Sequence, residues 1–239
     1  MQYLINSSEL QIIKKDIMTD IYQNKMLLTS ERDRPEGWTL ISGLWSPFYI
    51  QLRLVSSFPD TLLKVGKAMT QMIKEEAPHI NKLVGIAFAG VPIATAISLE
   101  SGIPAVYTRK LTGVKSEEDL QNALQSYGQH TLVEGVLEDG DALCLVDDLV
   151  TGLTSKVTAQ AQVKAELERR GISDVTCSDV AVLVDRQQGA NEAAQSLGMN
   201  LHALIKFVDE GLPLLKGVMS DTEHKLVSEY LANPQAFQK

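Results

Sequence analysis

The sequence predicts an α/β protein with a doubly wound, mostly parallel sheet flanked by helices. Two observations carry this. The runs LVGIAFA (83–89), AVYT (105–108), ALCLV (142–146), DVAVLVD (179–185) and the shorter LHALIKF (201–207) are apolar nearly throughout. Strands of that kind are buried on both faces, as in a parallel sheet covered by helices. Helical stretches at 92–100, 154–170 and 189–197 fall between them, the alternation that builds βαβ units.

Each element has its own warrant. Residues 7–28 place Leu10, Ile13, Ile17 and Ile21 at helical spacing, and Ser7 or Ser8 is suited to cap that helix. Residues 58–77 repeat the pattern with Leu62, Leu63, Val65, Met69, Met72 and Ile73. The stretch 154–170 is the clearest helix. Thr154 is the expected N-cap, Val157, Ala161, Val163 and Leu167 form a face, Arg169 and Arg170 close it, and Gly171 follows as C′. Residues 208–239 read as a C-terminal helix and tail punctuated by Pro213 and Pro234, with no chemistry assigned.

Composition narrows the class. The chain has 239 residues, 44% hydrophobic and 22% charged, with a net charge of −8. That acidity argues against sequence-independent nucleic-acid binding, which depends on basic surface. The cysteines, Cys144 and Cys177, sit in or beside apolar runs and are expected to be buried thiols. The four histidines give no metal spacing, and His130 is expected to be an exposed loop residue. The first residues lack the pattern of a signal peptide, and no run of about 18 apolar residues predicts a membrane span. The expectation is a soluble cytoplasmic protein.

Residues 142–155 read ALCLVDDLVTGLTS. Two adjacent carboxylates, Asp147 and Asp148, follow a buried strand, where ligands of open parallel sheets bind. The turn Thr151-Gly152-Leu153-Thr154-Ser155 then leads into a helix, whose N-terminus suits a phosphate. The arrangement predicts a sugar phosphate site, hydroxyls to the acids and phosphate to the turn. Strand, acid, turn and helix also occur together without a ligand, so this stretch alone leaves the site open.

LCLVDDLVTGLTS resembles the phosphoribosyl pyrophosphate signature of type I phosphoribosyltransferases. Other stretches narrow the resemblance to orotate phosphoribosyltransferases: SGLWSPFYIQLR (42–53), GIAFAGVPIATAIS (85–98), YTRK (107–110), YGQHTLVEG (127–135) and VLVDRQQGA (182–190), in family order over roughly residues 30–205. The resemblance implies one domain over 1–239, with a hood segment (1–57), an α/β core (58–207) and a tail (208–239). It implies transfer of ribose 5-phosphate from phosphoribosyl pyrophosphate to orotate, with Mg2+, in a homodimer whose sites share a loop.

By matching position, Asp147 and Asp148 are implied to hold the ribose hydroxyls. Thr151, Gly152, Thr154 and Ser155 are implied to cradle the 5-phosphate. Val91 and its neighbours are implied to offer backbone N–H groups to pyrophosphate, which Arg109 and Lys110 face. Phe48, Tyr49, Arg186 and Thr151 are implied to line the base site. The residues alone leave Phe48 and Tyr49 open as core aromatics, Arg186 as a surface ion pair and Arg109-Lys110 as a solvated strand edge.

The departures from the family pattern remove positive charge. Ile41, Gln125 and Ala89 stand where the family commonly has lysine, and Leu153 replaces the usual glycine of the phosphate turn, which predicts a rearranged turn. The segment 111–126 is longer than usual. Ser116 and Asp119 resemble a capping box, and Leu120, Ala123 and Leu124 follow helical spacing, so a helix is expected at about 117–125. Lys115 is either the one cation there that replaces the missing lysine or an ordinary exposed lysine. Besides an active orotate enzyme, two readings stay open: a non-catalytic relative that binds nucleotide or phosphoribosyl pyrophosphate, and a transferase for another base.

Overall fold

The computed structural model describes residues 5–40, 43–111, 113–114, 117–126 and 131–238. In chain order the elements are α1 (Ser7–Gln23), β1 (Leu27–Thr29), β2 (Trp38–Thr39), β3 (Trp45–Ser46), β4 (Phe48–Ile50), α2 (Pro59–Glu76), β5 (Lys82–Gly85), α3 (Gly90–Ser101), β6 (Ala105–Thr108), α4 (Glu117–Ser126), β7 (Val133–Glu134), β8 (Ala142–Val150), α5 (Thr154–Arg170), β9 (Thr176–Asp185), α6 (Ala190–Ser196), β10 (Asn200–Lys206), α7 (Leu212–Leu214) and α8 (Asp221–Ala232). They fall into two compact units, residues 65–204 and residues 1–64 with 205–239.

The unit 65–204 is built on a sheet in the order β10-β9-β8-β5-β6-β7. β5 pairs in parallel with β6 and β8, β8 pairs in parallel with β9, and the short β7 pairs antiparallel with β6. The mostly parallel sheet expected from the apolar runs is present. Its central strands are apolar because helices cover them: Val84, Leu145 and Val182 share one core with Leu153, Ala159 and Val163 of the turn and helix that follow β8. Burial of each such side chain contributes roughly 1.5–3 kcal/mol.

Three boundaries differ from the sequence reading. β8 does not stop at Val146. It runs on through both aspartates to Val150, because β9 continues to pair with it, Asp147 against Val182 and Val150 against Asp185. β5 ends at Gly85, since the N–H of Gly90 already donates to the Ile86 carbonyl and starts α3. Thr154 is the first residue of α5 rather than its cap. Leu153 holds the cap position with φ −94° and ψ −2°, and no side-chain cap bond forms. Gly171 closes α5 with φ +67°, as expected.

The other unit holds the antiparallel pairs β1–β4 and β2–β3, which the sequence did not announce. Asn6, rather than Ser7 or Ser8, caps α1 through a capping box with Glu9. Its core is aromatic, with Phe48 against Phe207 at 5.5 Å and Tyr230 at 5.8 Å. Buried Glu223 opens α8 and accepts hydrogen bonds from the hydroxyls of Tyr22 and Thr29. α4 forms where the inserted helix was expected, with Leu120 buried.

Candidate active site

Strand register gathers the predicted site at one edge of the sheet. Gly85, the last residue of β5, lies opposite Val146 of β8 and Tyr107 of β6. The Arg186 N–H donates to the Val150 carbonyl at 3.0 Å. The turn 86–89, the Arg109-Lys110 pair, the two aspartates and Arg186 thus leave neighbouring strands on the same side, where α/β sheets bind ligands. Gly90 permits the closest approach. A Cβ there would stand 2.0 Å from the Val146 carbonyl oxygen and 3.2 Å from the Asp147 Cα, so no side chain fits.

Because strand residues alternate faces, the adjacent acids meet different surroundings. Asp147 is 8% exposed. Its Oδ2 lies 2.9 Å from the Lys156 ammonium, and its Oδ1 accepts the Asp148 N–H at 3.0 Å. Asp148 is half-buried. Burial, together with the charge and hydrogen bonding of Asp147, pushes its carboxyl up to about 7. Lys156 acts the other way on it. Two like charges this close cannot both ionise freely, and the pair is resolved by giving Asp147 a cation of its own.

The phosphate turn leaves Thr151, Gly152, Thr154 and Ser155 exposed and Leu153 buried. Leu153 adopts an ordinary negative φ, so the missing glycine is accommodated by turning the leucine into the core. Thr154 and Ser155 are the first residues of α5, whose N–H groups have no acceptor within the helix, and both hydroxyls stand beside them.

A cleft of about 700 Å³ lies next to the β5 and β6 ends, lined among others by Phe88, Val91, Tyr107, Arg109, Lys110 and Glu134. Arg109 and Lys110 are exposed, and Arg109 lies 3.5 Å from Glu134. Val91 does line this cleft, but its N–H donates to the Phe88 carbonyl at 3.3 Å. The amide expected to face pyrophosphate is therefore engaged within the turn.

The remaining expected residues have surroundings of their own. Phe48 has no exposed surface, so its ring is a core aromatic and offers no face to a base. Tyr49 is half-buried and stacks on Trp38 at 6.1 Å. Both belong to the other unit. Arg186 is 8% exposed, which removes the surface reading left open for it. Ile41, Lys115, Ser116, Tyr127 and His130, and the side chain of Gln125, lie outside the described residues. Among the described residues, no cluster of three or more His, Cys, Asp or Glu could hold a metal ion. Cys144 and Cys177 are free, and burial pushes both thiols up.

The residues that sequence reasoning missed lie on α5. Its buried side chains include Lys156, Gln162 and Glu166. Gln162 donates to the Arg109 carbonyl, Glu166 accepts the Leu132 N–H, and Arg170 donates to the Val133 and Gly135 carbonyls. One helix therefore holds both ends of the segment 110–131. The signal was present: Lys156 lies three and seven residues before Ala159 and Val163, on the face that faces the core.

No family model matches the chain. It is 28% identical over 226 residues to an orotate phosphoribosyltransferase of Caenorhabditis elegans, covering 93% of this chain and 88% of that protein. Among solved structures it is similar to a UMP synthase of Leishmania donovani, with a TM-score of 0.70 at 24% identity over 91% of this chain and 41% of that one. It is 31% identical over 166 residues to an orotate phosphoribosyltransferase of Methanocaldococcus jannaschii, covering 70% of this chain and 82% of that protein. With that identity and coverage, and with the acid pair, turn and cleft at the strand ends, the chain belongs to the orotate phosphoribosyltransferase family.

Proposed function

We propose that this chain transfers ribose 5-phosphate from phosphoribosyl pyrophosphate to orotate, giving orotidine monophosphate and pyrophosphate in pyrimidine biosynthesis. One observation carries the reading. An acid pair and a phosphate turn on consecutive residues lie one strand away from a cleft bearing Arg109 and Lys110.

Each group has a task in an oxocarbenium-like transition state, where positive charge grows on the ribose and negative charge on the departing pyrophosphate. The hydroxyls and N–H groups of Thr154 and Ser155, with Thr151 and Gly152, hold the 5-phosphate. Asp148 accepts the ribose hydroxyls. Arg109 and Lys110 take up the developing charge of pyrophosphate, the stabilisation that counts most in such transfers. Arg186 offers a planar fork to the orotate carboxylate.

Magnesium belongs to this reading through the family resemblance, and its preference for substrate phosphate oxygens and water over an all-protein cage suits a pyrophosphate substrate. When bound with the substrate, magnesium would supply charge neutralisation for the leaving group beside Arg109 and Lys110. A homodimer is part of the same reading, supported by the resemblance of the 107–135 segment to a loop shared between subunits. Free cysteines fit a reducing, cytoplasmic setting.

The test is a base panel. The full chain is incubated with phosphoribosyl pyrophosphate, magnesium and either orotate, uracil, adenine or hypoxanthine, and nucleotide products are separated by chromatography. Orotidine monophosphate alone is expected. A different nucleotide moves the chain to another base, and no product with any base makes it a binding relative.

A further inference from the structure

Lys156 stands in a place that is costly for a lysine. It is the third residue of α5, in the first turn, where the helix dipole disfavours a cation. It is 2% exposed, and burying a charge is unfavourable unless it is fully paired. An apolar residue on that face would meet neither cost. What the ammonium touches explains its presence: Asp147 Oδ2 at 2.9 Å and the Leu149 carbonyl at 2.6 Å.

With Oδ1 already accepting the Asp148 N–H, both oxygens of Asp147 are engaged within the chain. Asp147, Asp148 and Lys156 together then carry one net negative charge instead of two. That matters beside a substrate bearing a phosphate and a pyrophosphate, which two uncompensated carboxylates would repel.

We propose that Lys156 is a positioning residue for phosphoribosyl pyrophosphate: it saturates Asp147 and leaves Asp148 as the single carboxylate that receives the ribose hydroxyls. The proposal rests on the transferase reading above and divides the two acids that the sequence treats as equals. Lys156 touches no reacting atom. It acts through Asp147, and the charged groups acting on Asp148 are Asp147 in its own strand and Lys156 in α5. Without Lys156, the Asp148 carboxyl holds its proton more strongly.

The test uses the full chain with Lys156→Met, which removes the charge and the donors, and Lys156→Gln, which keeps a donor. Steady-state kinetics are measured from about pH 5.5 to about pH 9, and binding of the magnesium complex of phosphoribosyl pyrophosphate is measured by calorimetry. The expected result for Lys156→Met is a KM for phosphoribosyl pyrophosphate raised about tenfold or more, with the KM for orotate unchanged. The acid limb of kcat/KM for phosphoribosyl pyrophosphate moves up by about one pH unit in both variants. A packing role alone would not move that limb.

If Lys156→Met does not fold, Lys156→Gln and its pH limb decide. Folded variants with the parent's KM and the parent's limb overturn the proposal while leaving the transferase reading intact. If the parent itself forms no orotidine monophosphate, that reading fails, and calorimetry alone tests Lys156. Binding weakened about tenfold supports it, and unchanged binding overturns it.

Discussion

In the proposed mechanism Asp148 receives the ribose hydroxyls, and its surroundings predict a pH dependence. Burial and Asp147 push its carboxyl up to about 7, so it is protonated below that pH. A protonated carboxyl is a poorer acceptor for ribose hydroxyls. The KM for phosphoribosyl pyrophosphate is therefore expected to rise as pH falls through about 7, and initial rates across that range check it. Gly90 carries a second prediction. Its missing Cβ would lie 2.0 Å from the Val146 carbonyl oxygen, so Gly90→Ala forces β8 and α3 apart. A loss of about 3 kcal/mol or more is expected, measured by urea denaturation. At this scale the place of the acids and the turn hydroxyls at the sheet edge was legible, because they directly follow an apolar strand. The hydrogen bond of the Val91 amide was not, since it depends on where the Phe88 carbonyl points. Nor was the burial of Phe48, which rests on Phe207 and Tyr230 far along the chain.

Among elements, α5 joins the phosphate turn to both ends of the 110–131 segment. Glu166 has no exposed surface and binds the Leu132 N–H at 2.8 Å, with Arg169 and Arg170 on its other oxygen. Glu166→Ala removes the acceptor of the buried Leu132 N–H and one partner of the half-buried Arg170. A loss of roughly 1–3 kcal/mol in denaturant stability is expected, with faster hydrogen exchange at Leu132. The helix itself was easy to read from Val157, Val163 and Leu167 and from Gly171. Its polar buried face was not, because Lys156, Gln162 and Glu166 break the apolar pattern that marks a core stripe. The full length of β8 was hidden for a related reason. Aspartates are poor strand formers, and only pairing with β9 keeps Asp147 and Asp148 in the sheet. The β1–β4 and β2–β3 pairs, two or three residues each, are too short to show an alternation.

On the scale of the molecule, charge is handled in separate places. In the unit 65–204, Asp179 is 2% exposed and bound by His202, His79 and Asn200, while His202 also meets Glu76. Burial alone would raise its carboxyl, but the hydrogen bonds from His202, His79 and Asn200 outweigh burial and hold it below the usual range. Such a group stabilises the fold above the ordinary carboxylate range, about pH 4, and the contribution is lost as pH falls further. Asp179→Asn is expected to lower stability near neutral pH by about 1–3 kcal/mol and to flatten the acid side of the curve, as thermal melts at stepped pH report. The sheet, its apolar strands and the family signature were all legible because they are local in sequence. The division of labour between Asp147 and Asp148 was not, because it is set by a lysine in the next element.

The most direct test of the central claim is the fall in orotate absorbance on mixing the full chain with orotate, phosphoribosyl pyrophosphate and magnesium, with Asp148→Asn measured beside it. The account predicts that the parent consumes orotate and that Asp148→Asn loses about a hundredfold in kcat/KM. No consumption by the parent, or equal consumption by Asp148→Asn, contradicts it.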